Sequence, residues 1–272
     1  MSNLTVRIIS GLTAAPLSLF LVYWSNSTRW GMMLVVIAIA AWEWARMVAK
    51  KVEGPRMVVV SPVLATLFTL AWIFQPHWHA SVLLASIIMV TVLLTVAFAR
   101  VNIENMFVWI ALHASGPLYL GLWGGMLLRL MGEGRGLRSS SAFIVVMSGM
   151  WFCDSFAYIF GRLLGKHKLA PQISPKKTWE GALGGTLATI IFVIVLGPWA
   201  FHTSLLINIL LGALISVAGQ AGDLLESALK RWAGSKDSSQ AFPGHGGILD
   251  RFDSMLLAGP LVVVILAIVR GY

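Results

Sequence analysis

The sequence predicts an all-α, polytopic integral membrane protein with about nine transmembrane helices. Three observations lead to this fold class: 58% of the 272 residues are hydrophobic, only 11% are charged, and the mean hydropathy is +0.82. Because soluble domains carry about a quarter charged residues, this composition favours the membrane class. Twelve tryptophans and thirteen phenylalanines would suit aromatic belts at the two membrane interfaces.

Nine apolar segments are long enough to cross a membrane, which needs about 20 residues per helix. Connecting segments rich in charged residues and glycine end these apolar segments. Residues 50–56 follow the second apolar segment in this way, and residues 132–136 follow the fifth. In chain order, the predicted spans are 4–24, 29–49, 57–75, 81–99, 106–128, 141–163, 181–199, 204–222 and 254–270. The first could also be a cleaved signal peptide flanked by Arg7, but the eight further spans favour an uncleaved helix.

The distribution of basic residues orients these spans. An odd number of spans places the two termini on opposite sides, and the N-terminus then shares its side with the even-numbered connections. That side carries fifteen of the 20 basic residues. The other side keeps five, namely Arg29, Arg129, Arg135, Arg138 and Arg270. Since cytoplasmic loops are enriched in Lys and Arg, we expect the N-terminus and the even-numbered connections to face the cytoplasm.

Net charge and cysteine content bear on nucleic-acid binding, on disulfide bonds and on cysteine metal sites. A net charge of +9 would suggest a nucleic-acid partner in a soluble protein. Here the basic residues flank apolar spans and do not alternate with exposed aromatic residues, so we expect no nucleic-acid partner. The single cysteine, Cys153, excludes an intramolecular disulfide and a multi-cysteine metal site.

The polar residues are concentrated in the second half of the chain. Its two long polar connections, about 164–180 and 223–253, both face the predicted cytoplasmic side. We therefore divide the chain into an N-terminal region, residues 1–140 with spans one to five, and a catalytic region, residues 141–272 with spans six to nine.

The connection after span eight carries carboxylates that could bind a metal ion. If span eight continues as a helix, Asp223, Ser227 and Lys230 fall on one face. Asp250 and Asp253 are three residues apart at the start of span nine, so they also share a face. Carboxylates from two helix ends can converge on one cation. Mg²⁺ is the favoured ion, because it takes oxygen ligands and typically combines one or two carboxylates with substrate phosphates.

The same connection has features that suit a phosphate group. Glycines flank His245 and allow the backbone to approach a ligand closely. Successive backbone N–H groups can then bind the negative charge of that ligand. The basic residues that would offset phosphate charge are Lys230, Arg231, Lys236 and Arg251. Single features also have plainer explanations: Glu226 and Lys230 as a surface ion pair, the glycines as a turn, and Asp250 as a helix cap. The whole group, within about 30 residues, favours the functional interpretation.

The connection after span six contains a second group of candidates. Asp154 lies inside an apolar span, where a carboxylate is a functional candidate by default. Arg162 is eight residues further on and lies on a similar face of the helix. Donors precede span seven, whose N-terminus favours an anion: Ser174, Lys176, Lys177 and Thr178. Taken alone, this loop fits equally well a basic segment that contacts anionic lipid headgroups. Glu43 and Arg46, near the end of span two, are interpreted as an ion pair whose charged ends reach toward the interface.

Residues 227–231, 236–237 and 242–253 together resemble the signature of the phosphatidate cytidylyltransferases, also called CDP-diacylglycerol synthases. Upstream, residues 154–162 and 174–181 are also similar to this family. The resemblance by motif covers about 150–255, and the nine-span layout extends it along the chain.

The resemblance implies that CTP and phosphatidic acid react to give CDP-diacylglycerol and pyrophosphate. By position, Asp223 and Asp250 match the family's metal-binding aspartates, and Asp253 lies close by. It further implies Mg²⁺, with K⁺ as a candidate second cation, a homodimer, and a site in the bacterial inner membrane that faces the cytoplasm. The predicted catalytic residues are Asp223, Asp250, Lys230 and Lys236. The predicted substrate contacts are Asp154, Arg162, Ser174, Lys176, Lys177, Thr178, Ser227, Arg231, Asp237, His245, Gly246, Gly247 and Arg251.

Two other functions remain open at this point. A CTP-using lipid kinase, or another membrane nucleotidyltransferase, would need similar phosphate and metal sites, but a kinase would release CDP instead of pyrophosphate. A transporter would carry polar residues through many spans near the bilayer midplane, whereas the charges here gather at one face.

Overall fold

The computed structural model describes residues 24–72, 78–132, 140–241 and 246–270, and its helices confirm the all-α fold. In chain order, the helices are α1 Asn26–Val48, α2 Val60–Ala71, α3 Trp78–Arg100, α4 Ile103–Gly116, α5 Trp123–Leu130, α6 Ser141–Leu164, α7 Trp179–Phe201, α8 Leu205–Trp232 and α9 Leu249–Arg270. A π-helical segment, Pro117–Leu122, joins α4 to α5. Two short strands, β1 Lys168–Ala170 and β2 Ser174–Thr178, precede α7.

Seven helical stretches of the described chain are long and apolar enough to cross a membrane, so the protein is a polytopic membrane protein, as predicted. They are Asn26–Val48, Ser81–Arg100, Ile103–Leu130, Ser141–Leu164, Trp179–Phe201, Leu205–Trp232 and Leu249–Arg270. The predicted count of nine is not confirmed. The first predicted span, 4–24, falls almost wholly outside the described residues. The third, 57–75, corresponds to α2, an apolar helix of only 12 residues.

Helices α4 and α5 form one continuous 28-residue span. Pro117 lies inside this span, and a proline removes one backbone donor and crowds the preceding turn. The chain accommodates the proline in the wider turns of the π-helical segment. The predicted span 106–128 is therefore a single membrane-crossing element whose helical geometry changes midway.

The first of two compact units consists of Ser27–Leu128 together with Leu229–Arg251. Its apolar core is formed by buried side chains of α2, α3 and α4 with Met57: Met57, Leu64, Phe68, Ala85, Met89, Leu93, Ala97 and Trp109. The indole Nε1 of Trp109 donates a hydrogen bond to the carbonyl of Pro55 at 3.2 Å. The tryptophan thus ties the connection before α2 to this core.

The second compact unit contains Arg129–Ala228 and continues from Phe252 to the end of α9. Within it, α6 and α7 pack closely because glycines face the contact. A Cβ atom at Gly185 would lie 2.7 Å from the carbonyl oxygen of Cys153, and one at Gly181 would lie 2.6 Å from that of Ala157. Small residues allow helix backbones to approach in this way in membrane proteins. The close contact of α6 and α7 also brings the hairpin that precedes α7 next to the end of α6.

Candidate functional site

Three carboxylates gather in the second unit. Asp223 and Glu226 lie three residues apart on α8, and Asp253 lies in the first turns of α9. Each offers an oxygen within 4.8 Å of those of the other two, which is close enough to hold one metal ion. The two helices approach closely here, because a Cβ atom at Gly222 would lie 2.5 Å from the carbonyl oxygen of Asp253. The sequence therefore needs glycine at position 222 to bring these carboxylates together.

Glu226 is a member of this cluster that the sequence analysis did not identify. Its spacing from Lys230 suggested a surface ion pair, yet the side chain is buried and only 4% exposed. The signal that could have identified it was its position three residues after Asp223, which places both carboxylates on one helix face. The donor set now consists entirely of carboxylate oxygens, the chemistry that Mg²⁺ prefers.

A lysine and a serine contact the cluster at Asp223. Lys177, from strand β2, places its Nζ 2.5 Å from Asp223 Oδ2. Ser227 donates a hydrogen bond to Asp223 Oδ1 at 3.2 Å, so the predicted face of α8 is confirmed at these two residues. The side chains of Lys177 and Asp223 are 27% and 30% exposed. The pair is therefore accessible to a ligand from the surface.

The hairpin that carries Lys177 is fixed at both ends. Thr178 is buried and its hydroxyl accepts a hydrogen bond from the backbone N–H of Gly181 at 3.2 Å, which caps the start of α7. Glu180 accepts from the backbone N–H groups of Lys166 and His167, and its Oε1 lies 2.6 Å from His167 Nδ1. Of the other predicted contacts on this hairpin, Lys176 is exposed and Ser174 is half-buried. Thr178 thus has a structural role as a cap.

Asp154 lies on α6 beside a small polar crevice in the same unit. The polar lining of this crevice comes from Cys153, Asp154, Ser216, Gln220 and Ser254. Gln220 Nε2 donates to Ser216 Oγ at 2.9 Å. Asp154 interacts electrostatically with both Asp223 and Lys177. Arg162, eight residues further on, is exposed near the C-terminal end of α6 and donates to the Tyr158 hydroxyl at 3.2 Å.

In the first unit, the carboxylate of Asp250 is held by several donors. Lys230 Nζ lies 2.5 Å from Asp250 Oδ1, and the two side chains are only 11% and 7% exposed. Asp250 Oδ2 accepts hydrogen bonds from the backbone N–H and the hydroxyl of Ser238, at 3.0 and 2.7 Å. It also accepts one from the N–H of Gly247 at 2.7 Å. Both oxygens of Asp250 therefore have protein partners, and its role as a metal ligand stays a prediction.

Glu43 is a second residue whose role the sequence analysis did not identify. Its side chain is 0% exposed, and it accepts hydrogen bonds from the backbone N–H groups of Ile248 at 3.0 Å and Leu249 at 2.7 Å. The expected ion pair with Arg46 is replaced by this arrangement, and the Arg46 guanidinium instead lies 4.5 Å over the ring of Trp42. The available signal was a carboxylate inside an apolar helix, which indicates a functional or structural partner.

The glycines of the signature allow close contacts with these carboxylates. Gly246 has a φ of +81°, which favours glycine, and a Cβ there would lie 2.6 Å from Asp250 Oδ2. A Cβ at Gly247 would collide with Ser238 Oγ and Glu43 Oε1. His245 lies outside the described residues. The remaining predicted contacts of this connection are exposed side chains: Arg231, Lys236, Asp237 and Arg251.

Comparison with known proteins gives a family match along most of the chain. The family model described as "Cytidylyltransferase family" matches residues 5–269. Proteins named phosphatidate cytidylyltransferase are similar over part of the chain. The one from Staphylococcus haemolyticus is 49% identical over 126 residues, which are 46% of this chain and 47% of the relative. Those from Staphylococcus epidermidis and Staphylococcus aureus are 48% and 46% identical, over 126 and 127 residues, again 46% of this chain and 47% of each relative. The chain thus spans about half the length of the relatives it matches.

Proposed function

This chain belongs to the cytidylyltransferase family, and from that premise we propose that it transfers the cytidylyl group of CTP to phosphatidic acid. The products are CDP-diacylglycerol and pyrophosphate. The observation that carries this proposal is the cluster of Asp223, Glu226 and Asp253 with Lys177 beside it, at the ends of membrane helices. The partial similarity to proteins named phosphatidate cytidylyltransferase supports the choice of lipid substrate.

The chemistry needs no nucleophile from the protein. A phosphate oxygen of phosphatidic acid, already anionic at neutral pH, attacks the α-phosphorus of CTP and forms a new P–O bond. The bond from the α-phosphorus to the bridging oxygen breaks, and pyrophosphate leaves with the electron pair. Catalysis then requires that two polyanions are held in line and that their charge is neutralised. Basic side chains and a divalent cation are the groups suited to this task.

We assign the divalent cation to the carboxylates of Asp223, Asp253 and Glu226. The set fits Mg²⁺ because all of its donors are oxygens and two of the three side chains are only partly buried. Asp250 remains a further proposed ligand, on the strength of the family resemblance alone, and K⁺ remains the candidate second cation. When bound, Mg²⁺ supplies charge neutralisation to the triphosphate and to the departing pyrophosphate.

The basic residues have complementary roles in this proposal. Lys177 already neutralises Asp223 and would turn toward a phosphate when the substrate arrives. Exposed cations would screen the remaining phosphate charge: Arg162, Lys176, Arg231, Lys236 and Arg251. The acyl chains of the lipid would stay in the bilayer throughout, which is a reason for building this enzyme from spanning helices. We further propose that it works as a homodimer in the bacterial inner membrane, with the site toward the cytoplasm.

Product analysis of the purified protein tests this function. The protein in detergent is mixed with CTP labelled in its cytosine ring and with phosphatidic acid, with Mg²⁺ or with excess EDTA. We expect label in the lipid phase and one pyrophosphate per labelled lipid, in the Mg²⁺ sample alone. Release of labelled CDP with phosphate transfer to the lipid would identify a kinase and refute the proposal. Equal turnover in EDTA would refute the metal assignment.

A further inference from the structure

The carboxylate of Glu43, on α1, joins two stretches of chain about 200 residues further along. Its Oε1 accepts from the N–H of Ile248 at 3.0 Å and from the Ser239 hydroxyl. Its Oε2 accepts from the N–H of Leu249 at 2.7 Å and lies 3.0 Å from the Ser238 hydroxyl, whose single hydrogen it shares with Asp250. Each oxygen therefore lies within hydrogen-bond distance of two donor groups. All of these residues belong to the first compact unit.

These contacts satisfy the start of α9. The first N–H groups of a helix have no partner within the helix, and a buried helix start needs acceptors from elsewhere. Glu43 supplies them for Ile248 and Leu249, and Asp250 supplies one for Gly247. A negative charge at a helix N-terminus is also favoured by the helix dipole. The fully buried carboxylate of Glu43 thus lies where backbone N–H groups and the dipole of α9 compensate its charge.

Ser238 links Glu43 to the buried ion pair of Lys230 and Asp250. The backbone N–H of Ser238 donates to Asp250 at 3.0 Å, while its hydroxyl lies within hydrogen-bond distance of both carboxylates. Gly247 lies against the same atoms, since a Cβ there would collide with Ser238 Oγ and Glu43 Oε1. Fixed in this way, Ser238 and Asp250 are flanked by two exposed basic residues, Lys236 and Arg251.

We propose that Glu43 is a positioning residue: by holding Ser238, Ser239 and the start of α9, it fixes Lys236 and Arg251 for contact with the phosphates of CTP. The inference rests on the proposed function for the identity of the nucleotide. Glu43 itself touches no substrate. It acts through the backbone that it orders, and small displacements of groups that bind a substrate produce large losses in affinity or rate.

Hydrogen exchange measures the positioning without any assay of activity. In Glu43→Gln, an NH₂ group that cannot accept a hydrogen bond replaces one carboxylate oxygen. The donors to that oxygen lose their acceptor, while the size of the side chain is kept. We expect the amide that loses its acceptor, that of Ile248 or that of Leu249, to exchange at least about tenfold faster than in the wild type. Glu53→Gln is the control, because Glu53 is exposed and lies in the same unit. Unchanged exchange in Glu43→Gln would overturn the proposal.

Kinetics separate positioning from a loss of folded protein. We expect Glu43→Gln to raise the KM for CTP at least about fivefold and to leave the KM for phosphatidic acid within about twofold. A variant that only folded less well would show a lower apparent kcat with both KM values unchanged, and that result would contradict positioning. Gly247→Ala displaces the same carboxylate from the other side and should raise the KM for CTP in the same way. The combined variant should add little, since the two changes disrupt one network.

The two measurements fail independently. If the wild type produces no CDP-diacylglycerol, the proposed function is wrong, while the exchange of Ile248 and Leu249 still decides whether Glu43 orders the start of α9. If the wild type is active and the KM for CTP is unchanged in both variants, the proposed function stands and the positioning role is refuted.

Discussion

Asp223 contacts several groups of the candidate site. It is the carboxylate that Lys177 neutralises, that Ser227 contacts, and that lies beside Glu226 and Asp253. Its side chain is 30% exposed, so a ligand can reach it without rearranging the interior. Exchange of one carboxylate oxygen for an amide should therefore affect metal binding far more than folding.

We expect Asp223→Asn to lower turnover at least about 100-fold, because a neutral amide binds Mg²⁺ weakly, while the protein still inserts and folds. Asp250→Asn is also expected to lower turnover strongly. The measurement is CDP-diacylglycerol formation by purified variants with matched circular dichroism spectra, with Glu104→Gln, at an exposed position, as the control. Formation at the wild-type rate by either aspartate variant would refute its assignment as a metal ligand.

The Mg²⁺ dependence of residual activity distinguishes the two aspartates. A direct ligand of the cation should shift the Mg²⁺ concentration for half-maximal activity upward when it is changed. If Asp250 acts only by holding Lys230, Ser238 and Gly247, its variant should keep the wild-type Mg²⁺ dependence at a lower kcat.

Lys176 and Lys177 are neighbours on one strand with different surroundings, since successive side chains of a strand point to opposite faces. Lys177 pairs with Asp223, whereas Lys176 is exposed. We expect the double alanine variant to raise the KM for CTP or for the lipid, with Lys177→Ala producing most of the effect. Steady-state kinetics of both single variants test this. Unchanged KM values for both substrates in the double variant would contradict a phosphate-binding role.

Side-chain contacts were predictable from sequence mainly where the partners are close along the chain. The shared face of Asp223 and Ser227 follows from helical spacing and is confirmed. Glu43 was misinterpreted because its partners lie 195 to 206 residues away, and no spacing rule connects them. Asp250 was predicted as a metal ligand. Its contacts with Ser238 and Lys230 could not be predicted, because they also depend on how the chain folds back on itself.

At the scale of elements, long apolar helices were predicted well and short polar elements were not. The span predicted at 141–163 is α6, Ser141–Leu164, and the helical continuation of span eight reaches Trp232. The hairpin of β1 and β2 was missed, because strands of three and five residues give no clear period in hydrophobicity. Helix α2 is shorter than predicted, and composition alone could not locate its end at Ala71.

The packing of α6 against α7 gives a prediction at this scale. A Cβ at Gly185 would lie 2.7 Å from a backbone oxygen, so Gly185→Ala forces the helices apart and should destabilise the protein by about 1–3 kcal/mol. Gly149→Ala is the matched control, since its Cβ would meet nothing closer than 3.7 Å and alanine favours a helix. Thermal unfolding in detergent measures both. Equal melting temperatures for the two variants would contradict the described helix contact.

The whole molecule exposes large apolar side chains, as a protein surrounded by lipid does. On α6 and α7 these include Tyr158, Ile159, Leu163, Leu183 and Leu187. In water such a surface would drive aggregation, whereas in a bilayer it contacts acyl chains. Fold class and membrane location were therefore predictable from composition, because they depend on averages over many residues and on no single contact.

The orientation in the membrane is testable with introduced cysteines. The native cysteine, Cys153, is buried, so new thiols at exposed positions can be labelled selectively. We expect Glu53→Cys, in the connection after span two, to be protected from a membrane-impermeant maleimide added to intact cells. Ser27→Cys, at an exposed position in the first turn of α1, should react. The opposite pattern would invert the proposed orientation, and permeabilised cells serve as the control for reactivity of both.

The π-helical segment between α4 and α5 has a consequence for insertions and deletions in this span. Such a segment holds one residue more than regular α-helical turns would. Deletion of one residue within Pro117–Leu122 would restore ordinary turns and keep the rest of the span on nearly the same faces. The same deletion in the α-helical turns before this segment would rotate everything after it by about 100° around the helix axis. Leu127, now fully buried, would then turn away from its present neighbours. The π-helical segment is thus the part of this span that can lose one residue without changing the faces that follow.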